Sequence, residues 1–159
     1  TLMRSSAASD VYKRQNQYGI PLKDRARLGG LFHVVIDVER IGDHAVNIME
    51  DAIKEENTGI NFSEEGKKEI TDMYDKVLQI YDKSVKVFVA MDKSCFEEIN
   101  NLEDTIDQMQ IDCQEGHVKR MADKKCSIEA GLIFTDLVIG LERIADHATN
   151  IAYSIVPEK

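Results

Sequence analysis

Two carboxylates and an amide, spaced four residues apart, occur twice in this chain: Glu39, Asp43 and Asn47, then Glu142, Asp146 and Asn150. On a helix that spacing stacks all three on one face, with neighbouring Cβ atoms about 5–6 Å apart. Two anions on adjacent turns repel and call for a cation. Arg40 and Arg143, one residue round the helix from each Glu, supply part of that charge. A di- or trivalent metal would supply it more fully, because hard cations prefer carboxylate oxygen. His44 and His147 lie roughly 100° further round than each Asp, which makes them weaker ligands for the same ion.

The two sites sit in a longer repeat. Residues 35–48 read VIDVERIGDHAVNI and residues 138–151 read VIGLERIADHATNI, identical at 10 of 14 positions with an offset of 103. A helix face alone repeats hydrophobicity. Duplicated Arg, Asp, His and Asn need another cause. One copy would read as a solvated, ion-paired helix face; two copies favour a site. Gly42 and Ala145 share a repeat position, and both are small enough to admit a neighbouring helix.

Long helices must carry these residues. From about residue 23 to 56, Val35, Val38, Ile41, Ala45, Ile48 and Ala52 fall three or four apart, the period of one apolar helix face. Gly29-Gly30 weakens the first turns, so the firm helix is expected from Leu31. Residues 57–62 (NTGINF) form a turn, and Ser63 caps a second helix with Glu64 and Glu65 in its first turn. That helix carries Ile70, Met73, Val77, Ile80, Tyr81, Val85 and Phe88, and fades near Met91. Ser94-Cys95-Phe96-Glu97 matches a capping box and opens a third helix with Ile99, Leu102, Ile106, Met109 and Cys113 inward. A charged break at Asp123-Lys124-Lys125 ends it. Ser127 caps the last helix, which runs to about Ile155 and is stopped by Pro157. Four helices of roughly 28 to 33 residues with short connections predict an all-α, up-down bundle.

Composition narrows the function. The 159 residues carry a net charge of −9, which duplex nucleic acid repels. The most apolar stretch, residues 130–141, holds Thr135 and Asp136 within twelve residues, against the roughly 20 that a membrane span needs. Three cysteines without a CxxC pair fit a reducing compartment. No histidine has an acid three residues before it, so the Glu-x-x-His spacing of di-iron carboxylate enzymes is missing. Neither a G-x-S-x-G elbow nor a glycine-rich phosphate loop appears. A non-enzymatic domain is the expectation. A metal-free bundle that docks a basic partner shares all these facts.

The twin E-x-x-x-D segments resemble the signature helices of the PhoU family. That resemblance implies two three-helix repeats related by a pseudo-twofold axis, each with one motif, and multinuclear iron or zinc bound at the motifs. It implies Glu39 and Asp43 as ligands at one site and Glu142 and Asp146 at the other. Glu103 and Asp107, another E-x-x-x-D on the third helix, stand where PhoU-like proteins also carry acids and are expected to join the second site. Cys113 and His117 are four apart, a zinc-compatible spacing, but read as core packing and solvent exposure respectively. The resemblance further implies a role in phosphate transport and homeostasis. Its partners would be a membrane transport domain or phosphate transporter and a sensor kinase, on the cytoplasmic side of the cell membrane. The wording LFHVVIDVERIGDHAVNI is especially similar to the PhoU-like tail of bacterial Na/Pi cotransporters; a free-standing PhoU-type negative regulator of phosphate uptake is the alternative. On this reading residues 1–15 (TLMRSSAASDVYKRQ) are a non-native or disordered leader. Residues 16–56 are the last helix of a truncated first repeat, and 63–156 a complete second repeat. An exposed half-repeat makes self-association a further expectation.

Overall fold

A computed structural model describes residues 21–60 and 62–155; the leader expected at 1–15 and Pro157 lie outside them. Four helices fill the described chain: α1 Leu22–Thr58, α2 Glu64–Ala90, α3 Phe96–Ala122 and α4 Ile128–Tyr153. The all-α bundle predicted from periodicity is the fold observed. None of the described helices is long and apolar enough to cross a membrane.

The boundaries follow local chemistry. Ser63 Oγ accepts from the Gly66 N–H and Ser127 Oγ from the Ala130 N–H, each at 3.1 Å, so both expected serine caps form. Gly59 ends α1 in the left-handed region, at φ 67°, where glycine carries no Cβ penalty. The capping box at Ser94 does not form. The carboxylate of Asp92 captures both the Ser94 N–H (3.0 Å) and its hydroxyl (2.8 Å), and Cys95 takes the N-cap position without a side-chain bond. A neighbouring carboxylate outcompeted the box. α1 also starts earlier than Leu31 and runs through both glycines. A Cβ on Gly30 would stand 3.3 Å from the Ser154 carbonyl oxygen, so this glycine lets the end of α4 close onto α1.

Gly30 beside Ser154 and Asp37 beside His147 make α1 antiparallel to α4. α2, α3 and α4 pack on one another, while α1 lies along α4 with almost no contact to α2 or α3. The core is built from Met73, Val77, Ile80 and Val87 of α2, Ile99 and Ile106 of α3, and Phe134, Val138 and Leu141 of α4. On α2 the seam passes through Ser84 and Val87 instead of Tyr81 and Val85, because a packed helix pair repeats closer to every 3.5 residues than every 3.6.

The internal repeat makes an asymmetry visible. Phe134, Val138, Leu141, Ala145, Ala148 and Ala152 are buried by α2 and α3. Their counterparts 103 residues earlier, Leu31, Val35, Val38, Gly42, Ala45 and Met49, are exposed, Val35 to 66 % and Val38 to 56 %. α1 instead turns Val34, Ile41 and Ile48 toward α4. Equal sequence has unequal surroundings.

His117, expected in solvent, is 6 % exposed. Its ring stacks on Phe134 with centroids 5.2 Å apart and occupies the space left by Gly131, where an added Cβ would sit 2.3 Å from Nε2 and 2.8 Å from Cε1. The imidazole cannot step aside into solvent. Gly131→Ala is therefore expected to destabilise the fold by about 1–2 kcal/mol, overpacking outweighing the helix-propensity gain of about 1 kcal/mol. A urea midpoint at or above wild type would show that the imidazole does not fill that gap.

Candidate metal centre

α3 and α4 run side by side and bring together four of the six expected acids. Glu103 is half-buried; burial, then the fields of Asp146, Asp107, Asp104 and Glu142 hold its carboxyl above the usual range. Glu142 is also raised, first by burial and then by Asp146 and Asp107, with Arg143 working against them. Its Oε2 lies 3.6 Å from Arg143 Nε, and Gln110 Nε2 donates to it at 3.5 Å. The group thus holds more negative charge than its own arginine offsets. Physically that is a place where a cation lowers the energy.

Glu39 and Asp43 are placed differently. Both are exposed on α1, which among the described helices packs extensively along α4 alone. Arg40 Nη1 stands 3.9 Å from Asp43 Oδ2, with both side chains about half exposed. Of the two small residues at the shared repeat position, Ala145 is buried as expected, but Gly42 has nothing within 4 Å of an added Cβ. The glycine that admits α1 is Gly140, where a Cβ would meet Ile48 at 3.0 Å.

The two repeat histidines meet where α1 and α4 cross. Their rings stack with centroids 5.7 Å apart and planes at 23°, and His147 Nδ1 lies 2.9 Å from Asp37 Oδ1. His44 is lowered from the usual imidazole value by burial, then by His147, Arg143 and Arg40. Asp37 went unnoticed in the sequence. Its signal was there, since it faces Gly140 at one of the four positions where the repeat differs, so only one of the two histidines gains a carboxylate.

Among the described residues, no three His, Cys, Asp or Glu side chains converge closely enough to hold a metal ion. The acids of α3 and α4 supply oxygen donors and unbalanced charge, which suit a hard cation. They do not form a closed cage. Cys113 is core, as expected, and burial pushes its thiol up to about 11.

The described helices form an all-helical bundle that carries one acidic helix motif in duplicate. The sequence profile of the PhoU domain family matches residues 70–155, more than half of the chain, and the protein belongs to that family. It is 31 % identical over 76 % of its length to the phosphate-specific transport system accessory protein PhoU homolog 1 of Thermotoga maritima, covering 51 % of that protein. To the PhoU homolog of Synechocystis it is 29 % identical, over 84 % of this chain and 58 % of the relative. The Clostridium acetobutylicum homolog is 28 % identical, over 88 % and 63 % respectively. The chain therefore spans between half and two thirds of the length of these relatives. No solved structure matches it.

Proposed function

We propose that the protein is a non-catalytic regulatory domain of phosphate transport that acts by docking to transport machinery at the cytoplasmic face of the membrane. The observation that carries this reading is the duplicated E-x-x-x-D motif within a PhoU-family bundle. The relatives bear names of accessory proteins of a phosphate-specific transport system, which favours a free-standing regulator. The wording of residues 31–48 favours the alternative, the tail of a sodium-dependent phosphate transporter. Both place the domain beside a phosphate transporter.

Glu103, Asp107, Glu142 and Asp146 would hold iron or zinc in this reading, and the raised carboxyls of Glu103 and Glu142 support it. Such an ion would stiffen the α3–α4 face that a partner reads. Glu39 and Asp43 would form a weaker site, both being exposed on α1. The test is elemental analysis after reconstitution with iron, zinc and manganese. Wild type should retain metal in stoichiometric amount, Asp146→Ala should lose most of it, and Asp43→Ala should lose little. Retention unchanged in Asp146→Ala would sink the metal assignment. The regulatory reading is checked separately, by phosphate uptake in bacteria lacking their own PhoU protein. Expression of the chain should lower uptake when phosphate is plentiful, and unaltered uptake would refute it.

A further inference from the structure

His117 is a buried titratable group that the phosphate reading does not use, and it packs under the α3–α4 turn. Its ring is 6 % exposed. Nδ1 lies 3.9 Å from Cys126 Sγ in the turn. Nε2 has no hydrogen-bond partner, because it faces Gly131, where an added Cβ would stand 2.3 Å away. The Gly131 N–H cannot turn to it, since it donates to the Ser127 carbonyl at 3.1 Å. Buried polar groups are nearly all paired, so a bare Nε2 needs an explanation.

The neutral ring supplies one. With its proton on Nδ1, toward the sulfur, Nε2 presents only a lone pair. A second proton changes that. The imidazolium carries an N–H on each nitrogen, and the one on Nε2 would be a charged donor pressed against a methylene. Burying an unpaired charge costs far more than burying an unpaired neutral acceptor. The surroundings offer no free counter-ion. On α3, Arg120 adds a fixed positive charge. From α2, the Glu69 carboxylate attracts the proton, but both its oxygens are held by Arg120, at 2.8 and 2.6 Å. From the turn, Cys126 faces the ring, while Lys125 is paired with Asp123 in solvent at 3.1 Å. α4 presents Gly131 and the Phe134 ring, neither of which carries charge. Burial and then Arg120 accordingly hold the His117 pKa below the usual imidazole value, with Glu69 working against them.

We propose that His117 is an acid-released latch on the α3–α4 turn: the neutral ring in the Gly131 slot holds the turn closed, and a proton taken from solvent onto Nε2 drives the ring out and uncovers Cys126. The ring cannot leave its slot while the turn stays closed, so proton uptake and opening are one event. The open state binds the proton more tightly. Opening is therefore favoured as pH falls through the open-state value of about 6.5, and one unit below it the gain approaches about tenfold. Above about pH 7 the ring is neutral in both states and the latch stays shut.

The readout is the rate at which Cys126 reacts with dithiodipyridine, which labels thiols in acid as well as at neutral pH. Cys95→Ser leaves Cys126 as the reporter, with Cys113 buried in the core. Cys126→Ser leaves Cys95 as the reference that removes the chemical effect of pH on labelling. From about pH 7.5 to about 5.5, the Cys126 rate relative to Cys95 should rise about threefold to tenfold, and by less than about twofold when His117→Gln is added. A rise below about twofold with His117 present, or an equal rise with His117→Gln, would overturn the latch. Nuclear magnetic resonance of the unsubstituted protein gives a second result that does not depend on how well His117→Gln folds. The His117 Cε1–H resonance is the one that survives each of His33→Gln, His44→Gln and His147→Gln. It should titrate below the usual imidazole value and together with the labelling. Titration at or above that value would mean that the closed turn accepts the imidazolium, and would overturn the proposal.

Discussion

Val138→Asp is expected to abolish cooperative folding, while Val35→Asp, at the equivalent position of the repeat, is expected to shift stability by less than about 0.5 kcal/mol. The two valines occupy the same place in near-identical helices. Val138 is 0 % exposed among side chains of α2, α3 and α4, and Val35 is 66 % exposed. A carboxylate at Val138 has no cation to meet in the core, and its desolvation exceeds the few kcal/mol by which a domain of this size is stable. At Val35 it stays in water. Urea unfolding followed by circular dichroism separates the outcomes. A large loss in Val35→Asp would mean that the outer stripe of α1 is covered in solution, and concentration dependence of that loss would identify a second copy as the cover.

The same asymmetry governs the acids. Glu142 gains its field in part from Asp107 of α3, which lies against α4, whereas Glu39 and Asp43 stand exposed on α1. Duplication in the sequence therefore does not carry over to equal affinity. The ranking expected for metal loss, Asp146→Ala well above Asp43→Ala, follows from packing alone.

The helices and two of the three serine caps were legible because they depend on local rules: an apolar period, and a hydroxyl three residues before an orphan N–H. That Glu103 and Glu142 stand in the field of one another and of Asp107 and Asp146 was legible too, once the short turns made α3 and α4 antiparallel neighbours. What local rules missed depends on partners distant in sequence. Ser94 lost its capping role to Asp92. Asp37 found its role only through His147, 110 residues on. His117 looked exposed because its polar neighbours on α3 say so, yet Gly131 of α4 leaves a slot that the ring fills. A glycine within an apolar helix was the available sign, and it specifies a close approach without naming the partner.

Arg120 is the other residue that the sequence reading left aside, and its removal is expected to be costly in an unequal way. Its guanidinium, 6 % exposed, pairs with both oxygens of Glu69 and lies 5.2 Å from the Phe134 ring centroid. The pair joins the start of α2 to the end of α3, and Gly116 makes room for it: a Cβ there would stand 3.0 Å from Glu69 Oε1 and 3.1 Å from Arg120 Nη1. Glu69→Leu strands a buried cation and should cost about 3–5 kcal/mol. Glu65 is a poor substitute, at 3.9 Å and 72 % exposed. Arg120→Met should cost less, about 1–3 kcal/mol, because Met keeps the apolar contact with Phe134 while the carboxylate of Glu69 can still reach water. The double variant Arg120→Met/Glu69→Leu should recover most of the loss, since a well-packed apolar pair replaces a buried ion pair at little or no cost. Urea midpoints for the four proteins complete the cycle. A coupling energy below about 0.5 kcal/mol would mean that the pair does not tie α2 to α3 in solution. A large coupling would place this ion pair among the contacts that hold the end of α3 against the start of α2.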